Sequence, residues 1–285
     1  MNKVYACIDG LKTTTAVVDW AAWSANRLGV PLELLHVLER DPDSTAVTDF
    51  SGAIGLGAQE MLLQQLSDLD AQRGKLAQEA GRQMLASSQA RAKAAGVPQV
   101  DGRMRHGEFV DTVIELEPDA RLFVLGEHYQ AVTASKLHLD HHLERVIRAV
   151  KRPVLVATTE HFAPPEQFVL AYDGSPTAVK MVETVARSPM LKGLPALVAM
   201  CAADTPAAWA QLGVAKGLLE GTGFAVETTL LPGDPENALP PLPQLQGAAL
   251  LVMGAYGHSR IRHLVIGSTT TTLLRMSKVP VLVMR

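Results

Sequence analysis

The stretch AALLVMGAYGHSRIRHLVIGSTTTT runs from Ala248 to Thr272, and its opening decides the fold. Ala248–Met253 is apolar at every position, without the alternation of a strand that keeps one face in water. A strand covered on both faces reads this way, and such strands belong to parallel sheets with helices packed on either side. The apolar run stops at Gly254, and helix-like sequence resumes beyond Ser268. The segment is therefore a buried strand whose carboxyl end opens into a loop and then a helix. In open parallel sheets, ligands settle beyond those carboxyl ends.

The same sentence is written earlier in the chain. ARLFVLGEH (Ala120–His128) matches AALLVMGAY (Ala248–Tyr256), and VYACIDG (Val4–Gly10) returns as VLAYDG (Val169–Gly174). GVPLELLHV (Gly29–Val37) returns as GLPALVAMC (Gly193–Cys201), HGEFVDTVIE (His106–Glu115) as PGDPENALPP (Pro232–Pro241), and RPVLVAT (Arg152–Thr158) as VPVLVMR (Val279–Arg285). The order never changes, which is the mark of a tandem repeat of one domain. The joint, TTEHFAPPEQ (Thr158–Gln167), carries paired prolines that suit a short stiff linker. The expected domains are 1–159 and 160–285. Each is expected to be an α/β unit, a doubly wound, Rossmann-like parallel sheet of five strands. The last strand of each unit would leave an apolar edge, and pairing these two edges would make a pseudo-dimer within one chain.

Composition narrows the function classes. Of 285 residues, 47% are apolar and 19% charged, enough for two full cores. A net charge of -3 does not suggest a nucleic-acid surface, which is usually a basic face. No apolar run reaches the ~18 residues of a membrane span, and the start lacks the apolar segment of a secretory signal. Cys7 and Cys201 lie in apolar runs and read as buried free thiols of a reducing, cytoplasmic compartment. From Ala58 to Ala95 the chain reads as one long helix, with Met61, Leu62, Leu66, Leu69, Leu76, Met84 and Leu85 as packing residues. Before it, Arg40–Gly57 is turn-rich and reads as a loop.

The glycines after the strand ask for a bulky anion. Gly254 and Gly257 lack Cβ atoms, so peptide N–H groups can approach a ligand closely, and positive φ is available to them. Gly267 and Ser268 then open a helix whose first N–H groups have no internal partner and whose dipole favours negative charge. Ser268 is a good N-cap, and Thr269 or Thr270 adds a hydroxyl donor. Together these make a phosphate cradle, with Arg260, Arg262 and His263 between the glycines as sources of positive charge. Asp173 ends the first strand of the same unit and could accept from a ribose hydroxyl, or cap the next helix at Ser175–Ala178.

GAYG, then HSRIRHLVI, then GS resembles the motif of the universal stress protein family: Gly, two residues, Gly, nine residues, Gly, then Ser or Thr. The resemblance extends over both units, through Asp9 and Asp173, the LLHV strand and the PVLVM ending. It implies a nucleotide-binding fold in which the glycines and Ser/Thr wrap the phosphates of ATP, while the strand-one Asp and the end of strand two hold the nucleoside. By position these are Asp173, Cys201, Gly254, Gly257, Gly267, Ser268 and Thr269. At Cys201 the family's usual HV reads MC.

The first unit departs from this pattern. Tyr129 stands where Gly257 does, Asp140 where Gly267 does, and His141 where Ser268 does. Bulk and a negative charge there oppose a triphosphate. His138 and His142, four apart with His141 between them, have the spacing of a zinc pair but also that of solvated helix-end histidines. P-loop, nucleophile-elbow and H-E-x-x-H motifs are absent. The expected function is therefore a regulatory binding module that holds ATP, with or without Mg2+, in its second unit and answers to an unidentified protein partner. Catalysis beyond slow ATP hydrolysis or self-phosphorylation is not expected. The alternatives are an adenylating enzyme of the related nucleotide-hydrolase folds, whose double-glycine loop is missing from DGLKTT and DGSPTA, and a nucleotide-free scaffold. Association into a homodimer is left open.

Overall fold

The computed structural model describes residues 2–39, 56–127, 141–242, 250–255 and 268–285. In chain order the first half contains β1 (Lys3–Cys7), α1 (Thr14–Leu28), β2 (Leu32–Leu38), α2 (Leu56–Ala94), β3 (Val100–His106), α3 (Phe109–Leu116), β4 (Ala120–Gly126), α4 (His141–Ala149) and β5 (Val154–Ala157). The second half contains β6 (Phe168–Ala171), α5 (Pro176–Arg187), β7 (Ala196–Cys201), α6 (Pro206–Glu220), β8 (Val226–Leu231), α7 (Pro235–Ala238), β9 (Leu250–Gly254), α8 (Ser268–Met276) and β10 (Val281–Met284). Strand and helix alternate throughout, the expected α/β pattern.

All ten strands join one sheet in the order β3-β2-β1-β4-β5-β10-β9-β6-β7-β8. Each half is parallel and changes direction beside its first strand, with β2 and β4 flanking β1 and β7 and β9 flanking β6. The halves meet where β10 pairs antiparallel with β5, Val281 opposite Val156 and Val283 opposite Val154. The predicted apolar edges thus cover each other. The two free edges are β3 and β8, the least buried strands; β3 carries Asp101, Arg103, Arg105 and His106, charges that blunt an edge.

Helices cover both faces. On one, Val17 and Trp20 of α1 and Met181 and Val185 of α5 share a core that runs across both halves. On the other, Val113 of α3, Leu143 of α4 and Leu273 of α8 share a second core. The linker is tied down by Phe162, whose ring meets Trp20 edge-on at 4.9 Å. Across the halves, Arg27 Nε donates to the carbonyl of Met190 at 2.9 Å.

One expectation fails. Leu85 of α2 is buried and Met84 packs against the core, but Met61, Leu66, Leu69 and Leu76 are exposed. Helical spacing reports an apolar stripe, not what lies against it. Among the described side chains of α2, burial begins at Gly81, where a Cβ would strike the side chains of His36 and Met104. The side chain of Leu62 and the loop residues Arg40–Gly55 lie outside the described residues; Leu56 and Gly57 belong to the helix.

Candidate functional site

Each half turns sharply off the end of its first strand at an Asp-Gly pair. Gly10 and Gly174 take φ of 82° and 73°, a conformation other residues rarely adopt. A Cβ on Gly174 would lie 2.7 Å from Gln211 Oε1. The turn folds the preceding carboxylate back on the chain. Asp173 Oδ1 accepts from Ser175 N at 3.0 Å, and Asp9 Oδ1 accepts from Leu11 N at 2.9 Å and from Thr14 Oγ1 at 3.0 Å. The cap of α5 is Ser175, whose Oγ accepts from Ala178 N at 3.1 Å, so Asp173 braces the turn and the serine caps the helix.

Asp173, Cys201 and Gly254 come together. They line one cleft of about 190 Å³ at the carboxyl ends of β6, β7 and β9, with Ser175, Thr270 and Leu273 around it. Its walls are mostly apolar, with a few convergent polar groups, as small-molecule sites tend to be. Gly254 closes β9 in extended backbone opposite Met284 and is absent from the positive-φ glycines. The positive φ available to a glycine is not used here; pairing with β10 holds the residue in strand geometry. What its missing Cβ provides is room, since a methyl there would meet only Met181 Sδ at 3.7 Å.

Cys201 is half-buried rather than buried, and both cysteines are free. Burial, aided by the Asp234 carboxylate, raises its pKa and keeps it a neutral thiol at physiological pH. Burial and the charge on Asp173 likewise raise the pKa of the neighbouring Tyr172.

Ser268 is the first residue of α8, and helix-start N–H groups have no partner within the helix. Gly257, Gly267, Arg260, Arg262 and His263 lie outside the described residues, as do the side chains of Ser268 and Thr269. Thr270, buried at 5% exposure, faces the cleft three residues before Leu273, which also lines it. The i, i+3 spacing in STTTTLL was the signal for that shared face.

The first half has its own cleft at the equivalent place, smaller at about 120 Å³, lined by Asp9, Glu39, Phe109 and His142 among others. A carboxylate bridges it. Glu39 Oε1 accepts from Phe109 N at the start of α3 at 2.7 Å, and Oε2 lies 3.4 Å from His142 Nε2. His142 also stands edge-on to the Phe109 ring at 5.8 Å. Glu39, at the end of β2, was not singled out from sequence, because nothing local says that a strand-end glutamate will reach two helices. Tyr129, His138 and Asp140, and the side chain of His141, lie outside the described residues. Among the described residues no three His, Cys, Asp or Glu side chains form a metal-binding group, and no helix is long and apolar enough to cross a membrane.

Comparison with known proteins agrees with this layout. The model of the universal stress protein family matches residues 1–158 and 195–285. A universal stress protein of Synechocystis sp. is 35% identical over 288 residues, covering 100% of both chains. A universal stress protein of Methanocaldococcus jannaschii is 28% identical over 67 residues, 24% of this chain and 41% of that one. Among solved structures, a universal stress protein from Archaeoglobus fulgidus superposes with a TM-score of 0.73 at 19% identity, covering 100% of this chain and 98% of the other. A putative universal stress protein from Pseudomonas aeruginosa gives 0.65 at 15%, covering 100% and 93%. At those identities the two structures speak for the fold alone. Family model and full-length relative together carry the assignment: this chain belongs to the universal stress protein family.

Proposed function

We propose that the cleft of the second half binds ATP and that the protein acts as a nucleotide-responsive regulatory module rather than as an efficient enzyme. The observation that carries this reading is the convergence of Asp173, Cys201, Gly254 and Thr270 on one cleft beside the first turn of α8. A helix N-terminus offers unpartnered N–H groups and a favourable dipole to phosphates. Asp173, whose Oδ1 accepts from the Ser175 amide, is the acceptor for a ribose hydroxyl in this reading. Gly257, Gly267, Ser268 and Thr269 complete the cradle in this reading, and Mg2+ would enter with the triphosphate. The domains 1–159 and 160–285 are then a regulatory pair of which only the second carries the nucleotide. In the first, the equivalent cleft is smaller, and Glu39 and His142 approach each other across it at 3.4 Å. The apolar cleft walls and the neutral Cys201 thiol favour holding a ligand over turning it over.

Denaturing the purified protein and identifying released nucleotide by chromatography tests the reading directly. Adenine nucleotide at about one per chain is the expected result. Calorimetry with Mg-ATP should then show binding with negligible hydrolysis, and Gly257→Tyr, which copies the first half, should abolish it. Unchanged affinity in that variant would place the nucleotide elsewhere.

A further inference from the structure

A third cavity lies at the junction of the two halves, away from both strand-end clefts. The starts of β4 and β5 contribute Arg121, Arg152 and the neighbouring Lys151, and the end of β10 contributes Arg285. The wall opposite comes from α5 and the segment after it, including Ser188 and Leu191. At about 220 Å³ it is larger than the cleft of the second half.

Its charge is one-sided. Four cations line it and no Asp or Glu does, in a chain whose net charge is -3. A neighbouring acid, Glu117, is engaged by backbone: its Oε1 accepts from the amides of Lys151 and Arg152. Arg285 is braced, its Nη1 donating to the carbonyls of Arg148 at 2.7 Å and Val150 at 3.2 Å. Arg121, Lys151 and Arg152 form no ion pair among the described residues. Like charges gathered at one cavity repel one another unless an anion lies among them. Apart from Thr184 and Ser188 the remaining lining is apolar, with Leu122, Leu191 and Leu282 all buried. Apolar lining adjoining a cationic wall matches a molecule with an anionic head and an apolar body.

We propose that this junction cavity is a second ligand site, which takes a small organic anion: a phosphate or carboxylate head on a body of about one ring. Arginine presents a planar fork of donors that fits either head group in bidentate fashion. Size sets the body. A cavity of about 150 Å³ accepts benzene, so the junction, at about 220 Å³, has room for an aryl group with its head. Because residues from β4, the segment leading into β5, β10 and α5 all line it, occupancy would bind the two halves together.

Phenyl phosphate, phenylacetate and uncharged phenol are the probes, titrated against the full-length protein by calorimetry and saturation-transfer NMR at low and high salt. Phenyl phosphate or phenylacetate should bind at least about tenfold more tightly than phenol, with affinity falling as salt rises. Whichever of the two binds better identifies the head group, and either outcome supports the site. The double variant Arg121→Gln/Arg152→Gln should weaken that binding about tenfold or more, as loss of charge-assisted hydrogen bonds would. Lys151→Glu, at an exposed position, should do the same, and it keeps the test valid if the double variant melts early. Gly257→Tyr should leave it unchanged. No binding of either anion at millimolar concentration, equal affinity in both charge variants, or loss in Gly257→Tyr would overturn the proposal.

Discussion

At Asp173 one side chain has a structural and a proposed binding task, and chemistry can separate them. The Oδ1 atom accepts from Ser175 N at 3.0 Å, which an asparagine oxygen can also do. Asp173→Asn should therefore melt within about 0.5 kcal/mol of the parent, yet bind ATP more weakly, because a charged acceptor is lost at the ribose. Asp173→Ala removes the turn acceptor as well and should cost about 1 kcal/mol of stability, as loss of such local side-chain to backbone bonds does. Thermal melting and calorimetry on the two variants check this; equal ATP affinity in Asp173→Asn would remove the ribose role. Gly174 explains why the pair is Asp-Gly: positive φ and a tight approach to Gln211 leave no place for a side chain.

Among the elements, α2 shows most clearly that a periodic pattern does not choose its partner. Its apolar positions look alike in sequence, but Leu85 is 8% exposed while Leu76 is 71% exposed. Leu85→Ala leaves a cavity and should cost about 2–5 kcal/mol. Leu66→Ala and Leu76→Ala remove no core contact and should change stability by less than about 0.5 kcal/mol. Denaturant melts of the three variants measure the contrast, and a large loss at Leu76 would mean that the projecting part of α2 is covered in solution. At α5 the capping is local and legible: Ser175 followed by Pro176 is a helix start, and Ser175→Ala should cost about 1 kcal/mol in the same assay.

For the whole molecule, alkaline pH should be the weak side. Cys7 is buried at 6% exposure, and burial, with the Asp9 charge behind it, pushes its pKa well above the usual 9.0. The folded state keeps this proton while the unfolded chain loses it above pH 9, so stability contributed below that pH falls as pH rises. Lys3 has the same sign for another reason, since its hydrogen bond to Glu33 at 2.8 Å raises its pKa above 10.5. Stability measured by denaturant melts should therefore hold steady below pH 9 and decline above it. The steepest slope one proton can add is about 1.4 kcal/mol per pH unit. Cys7→Ala should flatten the onset between pH 9 and 10.5. A decline that begins at the same pH in that variant would assign it to other groups.

What the residues determined alone was the layering. Unbroken apolar runs at Leu250–Met253 and Leu122–Leu125, short and bounded by glycine, read as strands buried on both faces, because an exposed face would show polar residues at every second position. The recurring order of strands and the apolar terminal edges then led to the β5–β10 pairing that the sheet contains. Asp173 and Gly254 were legible together because strand ends converge at a carboxyl edge, a consequence of parallel pairing and not of any one residue, whereas Cys201 entered only through the family resemblance. The tertiary structure alone decided the rest. Glu39 reaches Phe109 N across 70 positions, Arg27 meets the carbonyl of Met190 across 163, and Arg285 meets that of Arg148 across 137. Such contacts leave no period or motif in the sequence, since each depends on where a whole sheet has carried its edges. The junction cavity is the same case in part: Arg121, Lys151 and Arg152 are brought together by β4–β5 pairing within the first half, but Arg285 joins them only because the two halves share one sheet.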